Sequence, residues 1–361
     1  MNELIFGLER DFFFGDELFE NETEKIFAKN WICVARVEDF ETTTTDSYRR
    51  VSIGLYDIIV VRRYDATFAA FHNVCSHRGT RLLDQPSGGL KNSCVTCPYH
   101  AWTYDLDGCL IGAPNMNETD AFDRSEHGLK PVACVNWNGF VMIHLSQNES
   151  EFEKDFAPII ERLADWNLGD KVIGATLTYD VKANWKIIFQ NYSECYHCPT
   201  VHPDLNRLTP YRGATNDLES GPILGGPMGL SDDCETVSTD GKRIASPFAS
   251  LNEEQRRCVY YYTLFPTMFV SAHPDYVMIH ELTRVSNLQT LVKCHFFVTP
   301  ETQPDDLSRA VKTWDDVNQQ DWRVCELTQL GVHSPAYRPG PYSNLEPMLV
   351  AFDRHYRAVM T

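Results

Sequence analysis

The sequence predicts an α+β protein, in which an all-β module is followed by a domain with an antiparallel sheet flanked by helices. Its 361 residues suffice for two domains. Short β-rich runs separated by turn residues fill residues 49–143, whereas strands and helices mix after residue 151. We therefore expect a helical segment at 1–40 that packs on the last domain, the β module at 41–150 and the mixed domain at 151–361.

The composition excludes several classes of protein. Hydrophobic residues make up 43% of the chain and charged residues 23%, as in an ordinary globular protein. The net charge of −18 argues against nucleic acid and anionic membranes, both of which select basic surfaces. Neither a secretory signal nor a membrane-spanning stretch is recognisable. We expect a cytoplasmic protein, whose 12 cysteines are thiols or metal ligands rather than disulfides.

The elements of the first half follow from hydrophobic spacing. Ile26, Phe27 and Trp31 lie on one face of a predicted helix over residues 20–35. Four β-rich runs separated by turn residues then predict a compact, mostly antiparallel module, and they occupy residues 58–61, 67–71, 102–104 and 139–143.

The second half alternates helices and strands. We expect a helix at 153–166, a strand at 174–179, a helical region from residue 183, and three further strands at 259–264, 276–282 and 289–298 before a helix at 307–330. Residues 211–247 are rich in Gly, Pro, Ser and Asp, which predicts a long loop. This loop would serve either as a lid over a site or as a contact between subunits.

Two cysteine–histidine pairs lie in the β module. Cys75 and His77 form a C-x-H pair, and after a gap of 19 residues Cys97 and His100 form a C-x-x-H pair. Two thiolates and two imidazoles ligate either zinc or an iron–sulfur cluster. Because each pair supplies one Cys and one His, the arrangement suits a [2Fe–2S] cluster with two cysteines on one iron and two histidines on the other. Cys94, which forms a C-x-x-C pair with Cys97, is interpreted as a packing residue.

A second group of possible metal ligands lies in the mixed domain. His197 and His202 are five residues apart, and Pro199 between them would bend the chain and bring the imidazoles together. Two histidines and a carboxylate form the facial triad of non-haem Fe(II) oxygenases. The alternative is a zinc site that adds Cys195 and Cys198 to the two histidines.

Asp321 is the candidate carboxylate. It occupies the middle of an apolar stripe with helical spacing, formed with Trp314, Val317, Val324 and Thr328. A carboxylate on a buried face needs a cation or hydrogen bonds to neutralise it. A metal ion would do so, and the alternative is an ion pair with a buried Arg or Lys.

The residues around both groups resemble the Rieske non-haem iron oxygenases, the family of ring-hydroxylating oxygenase α subunits. The resemblance covers the motifs C-S-H-R-G at 75–79, C-P-Y-H-A-W at 97–102, Q-N-Y-S-E-C-Y-H-C-P at 190–199 and N-Q-Q-D-W at 318–322. It implies a Rieske [2Fe–2S] domain before a catalytic domain that holds one mononuclear non-haem Fe(II). The implied cluster ligands are Cys75, His77, Cys97 and His100, and the implied iron ligands are His197, His202 and Asp321. Gln190 departs from the family pattern, in which many members have Glu.

The resemblance also implies partners and an electron path. It implies a homotrimer, in which the cluster of one subunit faces the iron of the next and a carboxylate joins the histidine ligands across the boundary. That carboxylate would be Glu194, three residues before His197. The chain has neither a dinucleotide fingerprint nor plant-type ferredoxin spacing, so a separate NAD(P)H-dependent flavin or ferredoxin reductase must deliver the electrons.

The nature of residue 194 indicates a substrate class. Ring dioxygenases usually carry Asp there, whereas Glu194 resembles the branch that includes choline monooxygenase, carnitine oxygenase and glycine betaine demethylase. This implies an O₂-dependent oxygenase that hydroxylates or oxidatively N-demethylates a small quaternary ammonium compound such as glycine betaine. Candidate aromatic residues for a cation cage are Tyr260, Tyr261, Tyr262, Phe265, Phe269 and Tyr276. Alternative functions are oxidation of an aromatic ring or aryl ether, electron transfer by the cluster alone, or a zinc-binding interaction module.

Overall fold

The computed structural model describes residues 4–40, 46–119, 121–146 and 151–361. One compact unit, here called the β unit, comprises Thr23–Asp155; the other, here called the mixed unit, comprises the described residues up to Glu22 together with Phe156–Thr361. The division at residues 40 and 150 expected from the sequence stays a prediction, and the second boundary falls at the edge of 147–150, outside the described residues.

The β unit consists of antiparallel strands. Seven of them form one sheet in the order β1-β10-β9-β4-β3-β2-β5, and three form a smaller sheet in the order β6-β7-β8. The strands are β1 (Ile32–Arg36), β2 (Ser47–Ile53), β3 (Tyr56–Arg62), β4 (Phe68–His72), β5 (Ser87–Gly89), β6 (Cys94–Thr96), β7 (Thr103–Asp105), β8 (Leu110–Gly112), β9 (Pro131–Trp137) and β10 (Phe140–His144). Short 3-10 helices connect them at Val37–Asp39, Lys91–Ser93, Met116–Glu118 and Arg124–His127.

The core of the β unit reaches the two cysteines of the predicted cluster. Ile59 and Val61 of β3 belong to the same buried apolar cluster as Cys75, Cys97 and Tyr104. The alternation of strand side chains, together with these apolar neighbours, therefore fixes the bases of both cysteine-bearing loops.

The predicted helix over residues 20–35 is wrong in its second half. A π-helix at Thr23–Phe27 is followed by β1, which pairs antiparallel with β10. Ile26 and Trp31 are buried here, as they would be in a continuous helix, so the apolar spacing alone could not distinguish a helix from a strand. Pairing with a sheet edge, a tertiary interaction, decides in favour of the strand.

The mixed unit contains a six-stranded antiparallel sheet and helices. The sheet order is β11-β16-β15-β14-β13-β12, with β11 (Val172–Val181), β12 (Ile223–Gly229), β13 (Cys258–Leu264), β14 (Met268–Ala272), β15 (Val277–Ser286) and β16 (Gln289–Val298). The α-helices of the chain are α1 (Asp16–Glu22), α2 (Phe152–Leu163), α3 (Trp185–Tyr192), α4 (Cys198–Val201), α5 (Pro203–Leu208), α6 (Pro304–His333) and α7 (Pro347–Met360). Further 3-10 helices lie at Arg10–Phe12, Ala164–Trp166, Leu168–Asp170, Tyr211–Gly213 and Gln255–Arg257.

These elements confirm the predicted fold class of an antiparallel sheet flanked by helices. The strands predicted at 174–179, 259–264, 276–282 and 289–298 and the helices predicted at 153–166 and 307–330 all lie where expected, within a few residues. Among the described residues, no helix is both long enough and apolar enough to cross a bilayer.

The loop predicted over residues 211–247 contains an edge strand. Strand β12 pairs along its whole length with β13. Its sequence, I-L-G-G-P-M-G, lacks the usual strand residues, which is why the prediction missed it. Gly225 has a φ of +137°, and a Cβ atom there would lie 2.0 Å from the carbonyl oxygen of Tyr261, so only glycine fits this close approach.

Helix α6 packs on the sheet through one side. Leu307, Ala310, Trp314 and Val317 share a buried cluster with strand residues such as Phe296. Beyond Val317 the buried positions are Asn318, Trp322, Cys325, Gln329 and Val332. The predicted continuation through Val324 and Thr328 was wrong, because the predicted stripe had a period of 3.5 residues whereas a straight helix repeats every 3.6.

A buried ion cluster anchors α3. Asn184 caps the helix, since its side chain accepts a hydrogen bond from the backbone N–H of Lys186. The ammonium group of Lys186 contacts Glu22 at 2.5 Å, and Arg284 contacts the other oxygen of Glu22 at 3.0 Å. All three side chains are buried: those of Lys186 and Glu22 are 0% exposed, and that of Arg284 is 4% exposed. The carboxylate of Glu22 thus fixes the start of the helix that leads into the second group of predicted ligands.

Candidate metal centres

The two loops of the β unit that carry Cys75 and Cys97 have the same backbone construction. The carbonyl oxygen of Cys75 accepts a hydrogen bond from the N–H of Gly79 at 3.0 Å, and that of Cys97 accepts one from Ala101 at 3.1 Å. Gly79 and Ala101 both have positive φ values, +74° and +57°. Two equivalent tight turns therefore present two equivalent Cys–His pairs.

The two loops place sulfur inside and nitrogen outside. Cys75 and Cys97 are each 3% exposed, whereas His77 is exposed and His100 is partly exposed. The two imidazole rings lie 4.8 Å apart, centroid to centroid. Two buried thiols facing two outward imidazoles fit a cluster with two cysteines on its inner iron and two histidines on its outer iron.

Tyr104 is a neighbour of this group that sequence reasoning missed. Its hydroxyl lies 3.2 Å from the sulfur of Cys75 and 2.9 Å from the hydroxyl of Ser76. Burial and the hydrogen bond with Cys75 raise the pKa of Tyr104 to about 12, so its proton is available for donation at neutral pH. Its position on β7 gives no sequence signal of a contact with Cys75, which lies 29 residues earlier.

In the mixed unit, the structure brings His197, His202 and Asp321 together. Their ligand atoms all lie within 4.8 Å of one another. One carboxylate oxygen of Asp321 lies 2.8 Å from Nε2 of His202 and 3.3 Å from Nε2 of His197. Two imidazole nitrogens and a carboxylate converging on one point fit a mononuclear ferrous ion with open coordination positions.

Two short helices, rather than one bent helix, position the histidines. Helix α3 ends before the motif, His197 precedes α4, and His202 separates α4 from α5. Pro199 lies in the first turn of α4, where proline is tolerated because that N–H has no partner within the helix. The expected bend at Pro199 is therefore replaced by the junction of separate helices, and the two rings lie 5.2 Å apart.

Further side chains orient the three candidate ligands. Oε1 of Gln320 lies 2.6 Å from Nδ1 of His202, and the amide of Asn191 donates to Asp321 at 3.0 Å. An acceptor at Nδ1 places the proton there and leaves Nε2 free to bind a metal. Gln320 does not belong to the apolar stripe recognised in the sequence, and it contacts His202 only because α6 meets the α4–α5 junction.

Glu194 contacts His197 directly. Oε1 of Glu194 lies 2.6 Å from Nδ1 of His197, and Oε2 accepts the backbone N–H groups of Tyr196 and His197. The segment is not helical at Glu194, so the two residues are not joined by a helical turn although they lie three apart. A carboxylate has about four acceptor positions, so Oε1 retains one for a further donor.

The charges of this group depend on one another. Burial alone would lower the pKa of His197, but hydrogen bonds with Asp321 and Glu194 raise it to about 10. For Asp321 the directions are reversed: burial would raise its pKa, but hydrogen bonds from His197 and His202 hold the pKa below its usual value. A divalent cation bound by these side chains would displace the proton from His197.

A cavity of about 240 Å³ opens beside the three candidate ligands. Its aromatic lining residues are Tyr192, Tyr196, Tyr211, Tyr261 and Trp314. Of the six strand aromatics considered for a cation cage, only Tyr261 is among them. Arg212 is the only lysine or arginine among the described lining residues, and its guanidinium lies over the ring of Tyr211.

Cys195 and Cys198 also line the cavity, and they form a disulfide. The expectation that all cysteines are thiols or metal ligands was wrong for this pair. The zinc site considered from Cys195, Cys198 and the two histidines is not formed, because the two sulfur atoms are bonded to each other.

Comparisons with known proteins identify the two domains in which these sites lie. Residues 30–126 match the Rieske [2Fe-2S] domain, and residues 168–361 match the catalytic domain of the ring hydroxylating alpha subunit. The chain is 30% identical, over 93% of its length and 82% of the relative's, to the glycine betaine monooxygenase oxygenase subunit of Chromohalobacter salexigens. It is also 30% identical, over 91% of its length and 84% of the relative's, to the carnitine monooxygenase oxygenase subunit of Escherichia coli K12.

A solved structure shows the same architecture. The crystal structure of the quaternary ammonium Rieske monooxygenase CntA in complex with an inhibitor superimposes with a TM-score of 0.77 at 25% identity. The match covers 99% of this chain and 96% of that one.

Proposed function

This chain belongs to the family of Rieske ring-hydroxylating oxygenase α subunits, and on that premise we propose that it hydroxylates or oxidatively N-demethylates a small quaternary ammonium carboxylate such as glycine betaine. The chain is a Rieske-type oxygenase with a [2Fe–2S] domain and a catalytic domain for mononuclear iron. The observation that carries the substrate proposal is the cavity beside His197, His202 and Asp321, which combines several aromatic rings with the guanidinium of Arg212.

The cavity suits both ends of such a substrate. Aromatic faces attract a quaternary ammonium group, which has no N–H and cannot be held by hydrogen bonds. Arg212 offers a guanidinium to a carboxylate, with which it forms paired hydrogen bonds. The named relatives act on glycine betaine and carnitine, and both compounds carry an ammonium group and a carboxylate. The cavity thus favours betaines over choline, which has no carboxylate.

We assign the metal ligands as follows. Cys75, Cys97, His77 and His100 hold the cluster, and the mononuclear iron is held by His197, His202 and Asp321. When bound, the cluster supplies single electrons and the ferrous ion supplies the position at which O₂ reacts. Hydroxylation of an N-methyl group places one oxygen atom of O₂ in the substrate. Two electrons and two protons reduce the other oxygen atom to water. The hydroxymethyl group then leaves as formaldehyde.

The surrounding residues contribute orientation. Gln320 and Glu194 accept the Nδ1 protons of His202 and His197, which directs both Nε2 atoms toward the cavity. Asn191 holds Asp321 by its amide. These hydrogen bonds keep the ligand atoms in position on one side, so that the other side stays open to the substrate.

Glu194 has a second role in this proposal. In a homotrimer, its free acceptor position on Oε1 would bind the imidazole N–H of His100 from a neighbouring subunit, joining cluster and iron through two hydrogen bonds. The contact with His197 at 2.6 Å supplies one half of this bridge. Electrons would reach the cluster from a separate NAD(P)H-dependent flavin or ferredoxin reductase, because the chain has no dinucleotide fingerprint.

Substrate-dependent O₂ uptake with purified protein and a reductase tests the proposal. The panel comprises glycine betaine, carnitine, choline and simple aromatic compounds, with formaldehyde measured alongside. We expect a betaine to give O₂ uptake matched by formaldehyde, with about three irons per chain. Turnover of an aromatic compound without turnover of any quaternary amine would overturn the substrate proposal, and about two irons per chain would indicate an electron carrier.

The substitution Arg212→Met tests the carboxylate contact. It should raise KM for the betaine substrate by about 10- to 100-fold, since a charged hydrogen bond contributes about 1.5–3 kcal/mol. Activity on choline, if measurable, should not fall. Arg207→Met is the matched control, because Arg207 is an exposed arginine that does not line the cavity. Equal effects of the two substitutions would contradict the contact.

A further inference from the structure

The disulfide lies directly beside the candidate iron ligands. Cys195 and Cys198 flank His197, and both line the cavity. The sulfur of Cys198 is 4.0 Å from Nε2 of His197, the nitrogen that faces Asp321. Neither the electron path nor substrate binding, as proposed above, uses this pair.

The position of Cys198 matters for the choice of metal. Zinc lies about 2.3 Å from a thiolate sulfur and about 2.1 Å from an imidazole nitrogen, so two atoms 4.0 Å apart can ligate the same ion. Adding one thiolate to two imidazoles and a carboxylate gives a closed four-coordinate set, which suits zinc better than a ferrous site with open positions. A sulfur already bonded to Cys195 has no thiolate to offer.

We propose that the Cys195–Cys198 pair controls which metal the mononuclear site accepts. As a disulfide it withholds sulfur, which lowers the preference of the site for zinc over iron. As a dithiol it offers Cys198 as a fourth ligand, and the site takes zinc and loses oxygenase activity. This inference rests on the proposed ligand role of His197, His202 and Asp321.

The two cysteines differ in accessibility, which gives the reaction a direction. Cys195 is partly exposed, whereas Cys198 is 2% exposed. The thiolate of a dithiol reductant attacks the sulfur of Cys195, forms a mixed disulfide and releases Cys198 as a thiolate beside His197. The second thiol of the reductant then closes its own disulfide and releases Cys195 as a thiol, so that two electrons have passed to the pair. Hydrogen peroxide reverses the reaction, giving the disulfide and two molecules of water.

The asymmetry distinguishes this role from a purely structural one. Cys195→Ser leaves Cys198 permanently free, so this variant should behave like the reduced wild type. Cys198→Ser removes the sulfur ligand, so this variant should behave like the oxidised wild type whatever the conditions. A disulfide that only stabilises the loop would make the two substitutions equivalent.

The experiment is a competition for metal in the full-length protein that retains its cluster. Four proteins are each prepared with and without a phosphine reductant that is then removed: wild type, Cys195→Ser, Cys198→Ser and the control Cys109→Ser. The control removes an exposed free thiol outside the cavity. Each is depleted of mononuclear metal and exposed anaerobically to equal amounts of Fe(II) and Zn(II). Zinc per chain is measured, free thiols are counted by alkylation and mass spectrometry, and Co(II) loading reports sulfur ligation through its charge-transfer absorption.

Reduction should raise the zinc-to-iron ratio of the wild type and of Cys109→Ser about tenfold or more. Cys195→Ser should show the high ratio and the cobalt–sulfur absorption without reductant, and Cys198→Ser should show neither. Equal ratios in Cys195→Ser and Cys198→Ser, or a wild type whose pair stays reduced in air, would overturn the inference. If the mononuclear site binds iron but the zinc-to-iron ratio does not depend on the thiol state, only this inference fails. If no form of the protein takes up mononuclear metal, the assignment of His197, His202 and Asp321 as ligands fails.

Discussion

The two metal-binding regions of this chain are built in different ways. In the β unit, two backbone turns of the same construction hold Cys75 and Cys97, and each turn closes on itself through main-chain hydrogen bonds. In the mixed unit, the candidate ligand atoms include those of His202 and Asp321, which lie 119 residues apart in the sequence, and side-chain hydrogen bonds hold them. The first site is determined locally, whereas the second depends on the packing of α6.

The difference predicts which site each substitution affects. Changes on α6 should affect the mononuclear site and spare the cluster, and changes near the cysteine turns should do the reverse. Three substitutions, ordered by the size of the expected effect, test this separation.

Asp321→Ala should have the largest effect. It removes the carboxylate that contacts both Nε2 atoms, so mononuclear iron and substrate-dependent O₂ uptake should be lost while the visible absorption of the cluster remains. Iron content should fall from about three to about two per chain. The control is Asp316→Ala, which removes a carboxylate of the same helix that pairs with Lys312. Loss of the cluster in Asp321→Ala would show that the two sites are not independent.

Gln320→Leu should have an intermediate effect. Without its oxygen, Nδ1 of His202 loses the acceptor that fixes the proton on that nitrogen, and iron affinity should fall by about 10- to 100-fold. Isothermal titration of the metal-depleted protein with Fe(II) measures this change. Gln319→Leu is the matched control, because the neighbouring Gln319 is exposed and bonds to Asp315. We expect no loss of iron affinity in Gln319→Leu. An equal loss in the two variants would contradict a role of Gln320 in orienting His202.

Tyr104→Phe should have the smallest effect, and only on the cluster. Removing the hydroxyl that contacts the sulfur of Cys75 takes away a hydrogen bond that stabilises the reduced cluster. The reduction potential should fall by about 40 mV, which for one electron corresponds to about 1 kcal/mol. Protein-film voltammetry measures the potential, and mononuclear iron content should not change. An unchanged potential would show that Tyr104 does not donate to the cluster.

The same contrast explains how much could be predicted from the sequence. The cysteine–histidine spacing of the first site is a local pattern, and the strands that carry it have the alternation typical of sheets. Asp321 was found because a carboxylate within an apolar stripe is unusual, but Gln320 and Asn191 contact the ligands only after helices from distant parts of the chain meet. Gln320 is exposed and lies outside the apolar stripe of α6, and no spacing rule identifies a tertiary hydrogen bond.

The errors in the fold have similar causes. Residues 32–36 have apolar spacing that fits a helix as well as a strand, and pairing with β10 decides between them. Strand β12 was missed because glycine and proline replace the usual strand residues at a sheet edge. The bond between Cys195 and Cys198 was not expected, because cysteine spacing alone does not distinguish a disulfide from two thiols.

We propose that the cluster of one subunit and the iron of the next work as a pair, joined through Glu194. The most direct test reduces the cluster of Glu194→Gln, supplies substrate and O₂, and follows the optical return of the oxidised cluster in a single turnover. The Gln side chain keeps the size but loses the charge that accepts imidazole N–H groups strongly. With cluster and iron content equal to wild type, we expect reoxidation to be slowed by about 10- to 100-fold. Reoxidation at the wild-type rate with iron bound would contradict it.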